Sequence, residues 1–205
     1  MTDLDPRRRD DLPAILDDAW ARLFRGAASG RHAFHTPTFA TIDGEAPDAR
    51  VVVLRKAIRA ERTLVCHTDA RSPKAAQLAD HPRAVWCFYD AGAKLQLRCL
   101  GQTTVHVDDT LADERWQASA LSSRRCYLAP HPPGDPSDAP SPNLPEAVRG
   151  RVPDADETKP GRAHFAVIRT VIDRLDWLYL AHDGHRRARF TWSDQGDLAA
   201  TWLHV

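Results

Sequence analysis

The sequence predicts an α+β fold, built on an antiparallel sheet or barrel with a few peripheral helices. Short alternating or β-branched segments recur along most of the chain, and few amphipathic helical segments interrupt them. The order lacks the strict β-α-β alternation of a doubly wound fold, and the ten glycines never stand closer than four residues apart, which excludes a G-x-G-x-x-G fingerprint. At 205 residues, 42% of them hydrophobic and 27% charged, the chain suits a single domain whose core needs no disulfide or metal.

The elements follow in order. Residues 11–25 read as a helix, with Leu12, Ile15, Leu16, Ala19 and Leu23 on one face, Asp10 or Asp11 as cap, Pro13 in the first turn and Gly26 past the end. Residues 35–42 read as a strand closed by a turn at Asp43-Gly44. A strand over 50–58 holds the run Val51-Val52-Val53-Leu54, too β-branched and too short to favour a helix. Another strand spans 62–68, and a short helix over 75–80 is stopped by Pro82. Strands 83–89 and 94–107 are split by the turn Asp90-Ala91-Gly92. In the longer one Leu95, Leu97, Cys99, Val105 and Val107 share a face, opposite Gln96, Arg98, Gln102 and His106, and apolar groups on both of its sides predict a partner surface. Residues 109–121 read as a helix capped by Asp109 or Thr110. The stretch from Pro130 to Pro160 carries nine of the fifteen prolines and few large apolar residues, as expected of a loop or partly disordered insertion. Strands resume at 164–172, 174–181, 187–192 and 198–204, and no internal repeat is apparent.

Composition excludes several function classes. Lys plus Arg and Asp plus Glu each number 28, so no global field favours a nucleic acid. No apolar run approaches the roughly 20 residues of a membrane helix. The start, MTDLDPRRRDDLP, is charged and has no apolar leader region, which predicts a cytoplasmic protein. Cys66, Cys87, Cys99 and Cys126 form no C-x-x-C pair and read as buried free thiols. The closest histidine pairs, His32/His35 and His182/His185, have no ligand set beside them, so no metal is expected. Hydrolase and kinase motifs are absent.

The most informative local feature is Thr68-Asp69-Ala70-Arg71-Ser72-Pro73-Lys74. It leaves a strand and opens a helix, with Ser72 as cap and Pro73 at the first helical position. Arg71 and Lys74 put positive charge where the helix dipole favours negative. A phosphate at that terminus relieves the conflict; the alternative is a capped surface helix with two solvated cations. Arg50 and Arg55 bracket the β-branched run, and Arg50 and Arg71 lie on adjacent strand–turn units that can converge on one anion.

Arg50-Val-Val-Val-Leu-Arg55, Leu64-Val-Cys-His-Thr68, Arg71-Ser-Pro-Lys74, His81-Pro-Arg-Ala84 and Leu95-Gln-Leu-Arg98 resemble the pyridoxamine 5'-phosphate oxidase-like family of FMN-binding split β-barrels. The resemblance extends to Asp176-Trp177, Arg189-Phe190 and Trp202, and covers about residues 10–120 and 164–205. It implies an antiparallel, Greek-key-like split barrel that pairs as a homodimer with FMN between subunits. Arg50 and Lys74 would hold the FMN phosphate with the Ser72 turn, and Arg71 would stand in for a family arginine at the position of Pro73. Val51, Val52, Val53 and Leu54 would line the ring edge through their backbone, with His67 and Thr68 beside the flavin. Gln96 would reach the flavin, typically across the dimer interface, and Trp177 and Arg189 would complete the site. Arg55 would occupy the place of a lysine near the flavin, where it and His67 would tune flavin charge.

True pyridoxamine phosphate oxidases carry a Tyr and an Arg-x-x-x-Ser set in the segment that here reads Trp116-Gln-Ala-Ser-Ala-Leu-Ser-Ser-Arg-Arg125, and that pattern is not reproduced. The C-terminal Arg-x-His pair meets His185 and Arg187, which do not match it. The resemblance therefore implies an FMN-dependent oxidoreductase acting on an unassigned small molecule. The alternatives are a flavin carrier without turnover, a true pyridoxamine phosphate oxidase, and a deazaflavin or haem protein. Arg50, Lys74 and Gln96 favour FMN over the last two cofactors.

Overall fold

The computed structural model describes residues 9–182 and 184–205. The first eight residues, part of the stretch read as lacking a leader, lie outside the described residues. Nine strands form one antiparallel sheet in the order β2-β1-β5-β6-β7-β4-β3, with β8 on β7 and β9 on β8. They are β1 (Thr38–Asp43), β2 (Ala46–Val51), β3 (Lys56–Ile58), β4 (Thr63–Asp69), β5 (Arg83–Asp90), β6 (Leu95–His106), β7 (Phe165–Tyr179), β8 (Arg186–Trp192) and β9 (Leu198–Leu203). Among the described residues five α-helices accompany them: α1 (Leu12–Ala28), α2 (Pro73–Asp80), α3 (Thr110–Gln117), α4 (Leu121–Arg124) and α5 (Ala155–Thr158). This is the α+β split barrel that the sequence predicts. Among the described residues no helix is long and apolar enough to cross a membrane.

The main core lies between α1 and the inner face of the sheet. Ile15, Ala19, Trp20 and Leu23 pack with Phe34, Phe39, Trp86, Phe88, Leu97 and Trp177. Several polar atoms inside it are matched: Trp86 Nε1 donates to Thr170 Oγ1 at 3.0 Å, and Thr170 pairs with Thr103 at 2.9 Å. Asp11 caps α1, accepting from the Ala14 amide at 3.3 Å. The helix continues past Gly26 to Ala28 rather than ending there. Gly26 is instead a point of close approach, because a Cβ there would stand 2.7 Å from the Phe34 carbonyl oxygen.

The stretches expected as strands 164–172 and 174–181 are one continuous strand, β7. Its register on β6 slips by one residue: Leu100 faces Arg174 and Gly101 faces Ile172, so Asp173 is the extra residue of a bulge. The slip shifts the alternation by one, which reads in sequence as a break between two strands. Below the bulge β7 pairs with β4; above it β7 pairs with β8. One strand thus serves both halves of the barrel.

On β6 the buried face carries Leu95, Leu97, Cys99, Gly101 and Thr103. The opposite face is mostly polar, with Leu100 its one large apolar group beside Gln96, Arg98, Gln102 and Thr104, so the expectation of apolar groups on both sides is corrected. The expected helix over 109–121 stops at Gln117. There the Ser119 hydroxyl donates back to the Arg115 carbonyl at 2.7 Å, and the chain restarts as α4 and a 3-10 turn at Arg125–Leu128. The proline-rich stretch has no strand, only a 3-10 turn at Glu146–Val148, the start of another at Lys159–His164, and α5, which closes a capping box between Asp154 and Glu157.

Candidate functional site

The run Val51-Val52-Val53-Leu54 leaves the ladder at Val51 and crosses from β2 to β3 as an extended segment. The Val52 amide donates to the Pro37 carbonyl at 3.0 Å and the Leu54 amide to that of His35 at 2.8 Å. Val52 and Leu54 are buried, whereas Val51 is 65% exposed. The expected strand over 50–58 is therefore two strands joined by a crossover. Its apolar pattern reflects alternate burial on the body of the protein, with the Val51 and Val53 positions turned outward.

That outward edge is one wall of a cavity of about 360 Å³. Arg50, Val51, Val52, Val53, Arg55, His67, Thr68, Asp69 and Lys74 line it, faced by Cys126, Tyr127 and Pro133. Eight of the sequence candidates are thus gathered around one space. Lys74 reaches it from the first turn of α2, and its Nζ donates to Thr68 Oγ1 at 3.0 Å. Thr68 in turn pairs with Ser72 Oγ at 3.0 Å. Ser72 is the N-cap by position, but its hydroxyl is spent on Thr68 rather than on a helix amide. Burial first, and then the neighbouring Arg50 charge, hold the lysine below its ordinary pKa.

Arg50 is bonded within the protein. It donates to Thr41 Oγ1 at 2.5 Å and to Gln77 Oε1 at 3.1 Å, and forms an ion pair with Asp48. The hydrogen bond from Gln77, followed by the Arg50 charge, holds the Asp48 carboxyl below the usual range against the opposing effect of burial. Arg71 does not itself line the cavity; it pairs with Asp69, which does, with Nε to Oδ1 at 3.0 Å and Nη2 to Oδ2 at 2.7 Å. Leu54 lies in the core with no exposed surface, so only its backbone faces the segment's neighbours.

His67 stands where the cavity meets an aromatic cluster. Its ring is edge-on to Phe165 at 4.9 Å, and Phe165 packs on Trp116 and Tyr127. Its Nε2 is buried and has no hydrogen-bond partner. Burial, then the charges of Arg55 and Arg115, press the imidazole pKa down to about 4. The folded pKa lies below the unfolded one, so the unfolded chain takes up the proton first. This contribution to stability is complete above about pH 6.5 and is lost as pH falls toward 4, worth on the order of 3 kcal/mol at most. Urea unfolding at pH 4.5 and 7.5 is expected to show this acid sensitivity, with a smaller difference in His67→Phe. Equal differences in variant and parent would contradict the assignment.

A second cavity, about 180 Å³, shares Arg55 and His67 with the first and adds Arg115, Ser119 and Ser123. Arg115 Nε is buried and unpartnered, and among the described residues neither Arg55 nor Arg115 has a carboxylate partner. Sequence reasoning missed Arg115, Cys126, Tyr127 and Pro133. Arg115 stands one position before the segment 116–125 and belongs to no motif that the sequence displays. Cys126 is exposed, while Cys66 and Cys99 are buried and Cys87 is half-buried, which corrects the expectation of uniform burial.

Gln96, Trp177 and Arg189 do not line either cavity within one chain. Gln96 lies on β6 between Tyr89 and Leu178, and Trp177 is buried in the core with Nε1 unpartnered. Arg189 and Arg98 both bond Asp176, the nearest at 2.8 and 2.7 Å, and Arg187 approaches at 3.3 Å. Burial alone would raise the Asp176 pKa; the hydrogen bonds from Arg189 and Arg98 outweigh it and bring it to about 2.

Residues 17–107 match the family model for pyridoxamine 5'-phosphate oxidase, FMN-binding domain. The match runs from α1 through β6 and includes Arg50, Arg55, His67, Thr68, Lys74 and Gln96. A solved pyridoxamine 5'-phosphate oxidase-related, FMN binding protein from Nostoc punctiforme superimposes with a TM-score of 0.70 at 22% identity, covering 92% of this chain and 96% of its own. PhzG from Burkholderia lata, solved in complex with tetrahydrophenazine-1-carboxylic acid, gives 0.69 at 18% identity and 98% coverage of both chains. At these identities the two likenesses show the fold. The sequence has no match among the curated proteins.

Proposed function

We propose that this chain, a member of the pyridoxamine 5'-phosphate oxidase-like FMN-binding family, holds FMN in the larger cavity and serves as an FMN-dependent oxidoreductase. The observation that carries the reading is the convergence of Lys74, Thr68 and Arg50 at the edge of the Val51–Val53 crossover. The donor set fits the group. Lys74 and Thr68 supply charge and a hydroxyl for a phosphate, with Arg50 behind them as a fixed positive charge. His67 lines the same cavity and its buried Nε2 has no partner, and the extended crossover, whose Val51 and Val53 positions turn outward, suits the edge of a ring. When bound, FMN supplies the electron transfer. The chain's own part is to bind and orient it, and to exclude water with Val51, Val53 and Tyr127. A neutral His67 is kept from carrying a second positive charge beside Arg55.

The smaller cavity supports a substrate with an anionic group, because Arg55 and Arg115 meet there with two serines and no carboxylate. This arrangement favours turnover over a purely carrying role. Riboflavin, which lacks the phosphate, is expected to bind at least about tenfold more weakly than FMN, the scale of one charge-assisted contact. Equal affinity for both would overturn the phosphate assignment.

Gln96, Trp177 and Arg189 enter the reading through a second copy. A homodimer that places β6 and β8 of one chain beside the cavity of the other explains why these residues stand apart from it within one chain. Light scattering coupled to size exclusion is expected to give about twice the 22.9 kDa chain mass with flavin co-eluting. A flavin-loaded monomer would count against a shared site.

A further inference from the structure

We propose that Arg71 is the clasp of a lid: it fastens the proline-rich segment after Ala129 across the mouth of the larger cavity, and its release governs flavin entry and exit. The inference rests on the FMN reading for what passes the lid, but not for the lid itself.

The Arg71 guanidinium is divided between two elements. One side is held by Asp69, with Nε and Nη2 at 3.0 and 2.7 Å from the carboxylate, and the Arg71 amide also donates to Asp69 Oδ1 at 2.8 Å. The other side donates to two carbonyls of the segment, Ala129 at 2.9 Å and Pro130 at 3.5 Å. Asp69 belongs to β4, so the clasp is anchored in the barrel. With its fork already shared between a carboxylate and backbone, Arg71 is a positioning residue and no free phosphate donor.

The segment it fastens is built as a unit. The His131 amide donates to Asn143 Oδ1 at 3.2 Å, and Asn143 Nδ2 donates to the His131 carbonyl at 2.8 Å, closing the loop on itself. Its prolines limit the freedom it can regain when it lifts. The tip rests on the start of α2: Gly134, at φ +97°, would bring a Cβ to 3.4 Å from Pro73. Pro133, beside it, forms part of the cavity wall opposite the Val51–Val53 crossover. The segment's outer part is exposed from Pro136 to Pro142, so the hold on it is local.

A clasp and a ligand differ in kinetics. A clasp changes the open fraction and so moves both rates together; a ligand moves dissociation alone. FMN association and dissociation, followed by flavin fluorescence in stopped flow, are expected to rise together about tenfold in Arg71→Ala with Kd nearly unchanged, the size of one charge-assisted hydrogen bond. Hydrogen–deuterium exchange of the peptide covering residues 129–145 is expected to quicken by a similar factor, without FMN present. Asn143→Gly, which opens the loop without touching Arg71, is expected to quicken the same peptide and keeps the test available if Arg71→Ala fails to fold. Faster dissociation with unchanged association would make Arg71 a direct ligand and overturn the proposal. Unchanged exchange of 129–145 in both variants would overturn it as well. If the parent protein binds no FMN, the proposed function fails, and the exchange measurement alone still decides whether Arg71 is a clasp.

Discussion

Replacing Lys74 by alanine is expected to weaken FMN binding by about 10- to 100-fold, or roughly 1–3 kcal/mol, the range for a charge-assisted hydrogen bond. Lys74 is held below its ordinary pKa by burial and by Arg50. A phosphate dianion in the same cavity opposes that repulsion, so the lysine gains on binding what it lacks alone. Folding should be almost unaffected, because among the described residues the Nζ bonds only the Thr68 hydroxyl. Fluorescence titration of the folded variant with FMN measures the loss, and unaltered affinity would remove Lys74 from the site. Arg50→Ala is a poorer test. Its guanidinium also ties Asp48 to the buried Thr41 and Gln77, so that variant mixes lost affinity with lost stability.

Gly101→Ala is expected to cost about 3 kcal/mol or more, the upper end for overpacking. The added Cβ would fall 2.1 Å from the Val171 carbonyl oxygen and 2.9 Å from Ile172 Cα, both backbone atoms of the neighbouring strand. These atoms flank the bulge at Asp173, where β7 passes from one half of the barrel to the other. Relaxing the clash would require parting the two longest strands. Urea unfolding of the variant reads this directly. A change below about 1 kcal/mol would show that the bulge is easily remade.

Much of the fold is legible because strand alternation and turn residues are local signals. Gly44, at φ +59°, marks the β1–β2 turn as the sequence indicates. The bulge is not legible in this way. Asp173 is a single inserted residue whose only signature is a change of phase, which looks like the end of a strand. The crossover at Val51–Leu54 misleads for a related reason: β-branched residues suit any extended backbone, whether or not it sits in a ladder.

The candidate site divides along the same line. Arg50, Arg55, His67, Thr68 and Lys74 lie near one another in sequence, on consecutive elements that one sheet brings together. The opposite wall comes from Cys126, Tyr127 and Pro133, more than fifty residues away in a stretch without periodicity. Charge alone also left Arg71 ambiguous, since a neighbouring Asp69 in sequence does not reveal that the two side chains are paired.

The visible absorption spectrum of the protein after incubation with FMN and removal of the excess tests the central claim most directly. The account predicts a flavin band that co-elutes with the protein and is much reduced in Lys74→Ala. A colourless protein that retains no FMN would contradict it, leaving a split barrel whose cavity serves another ligand.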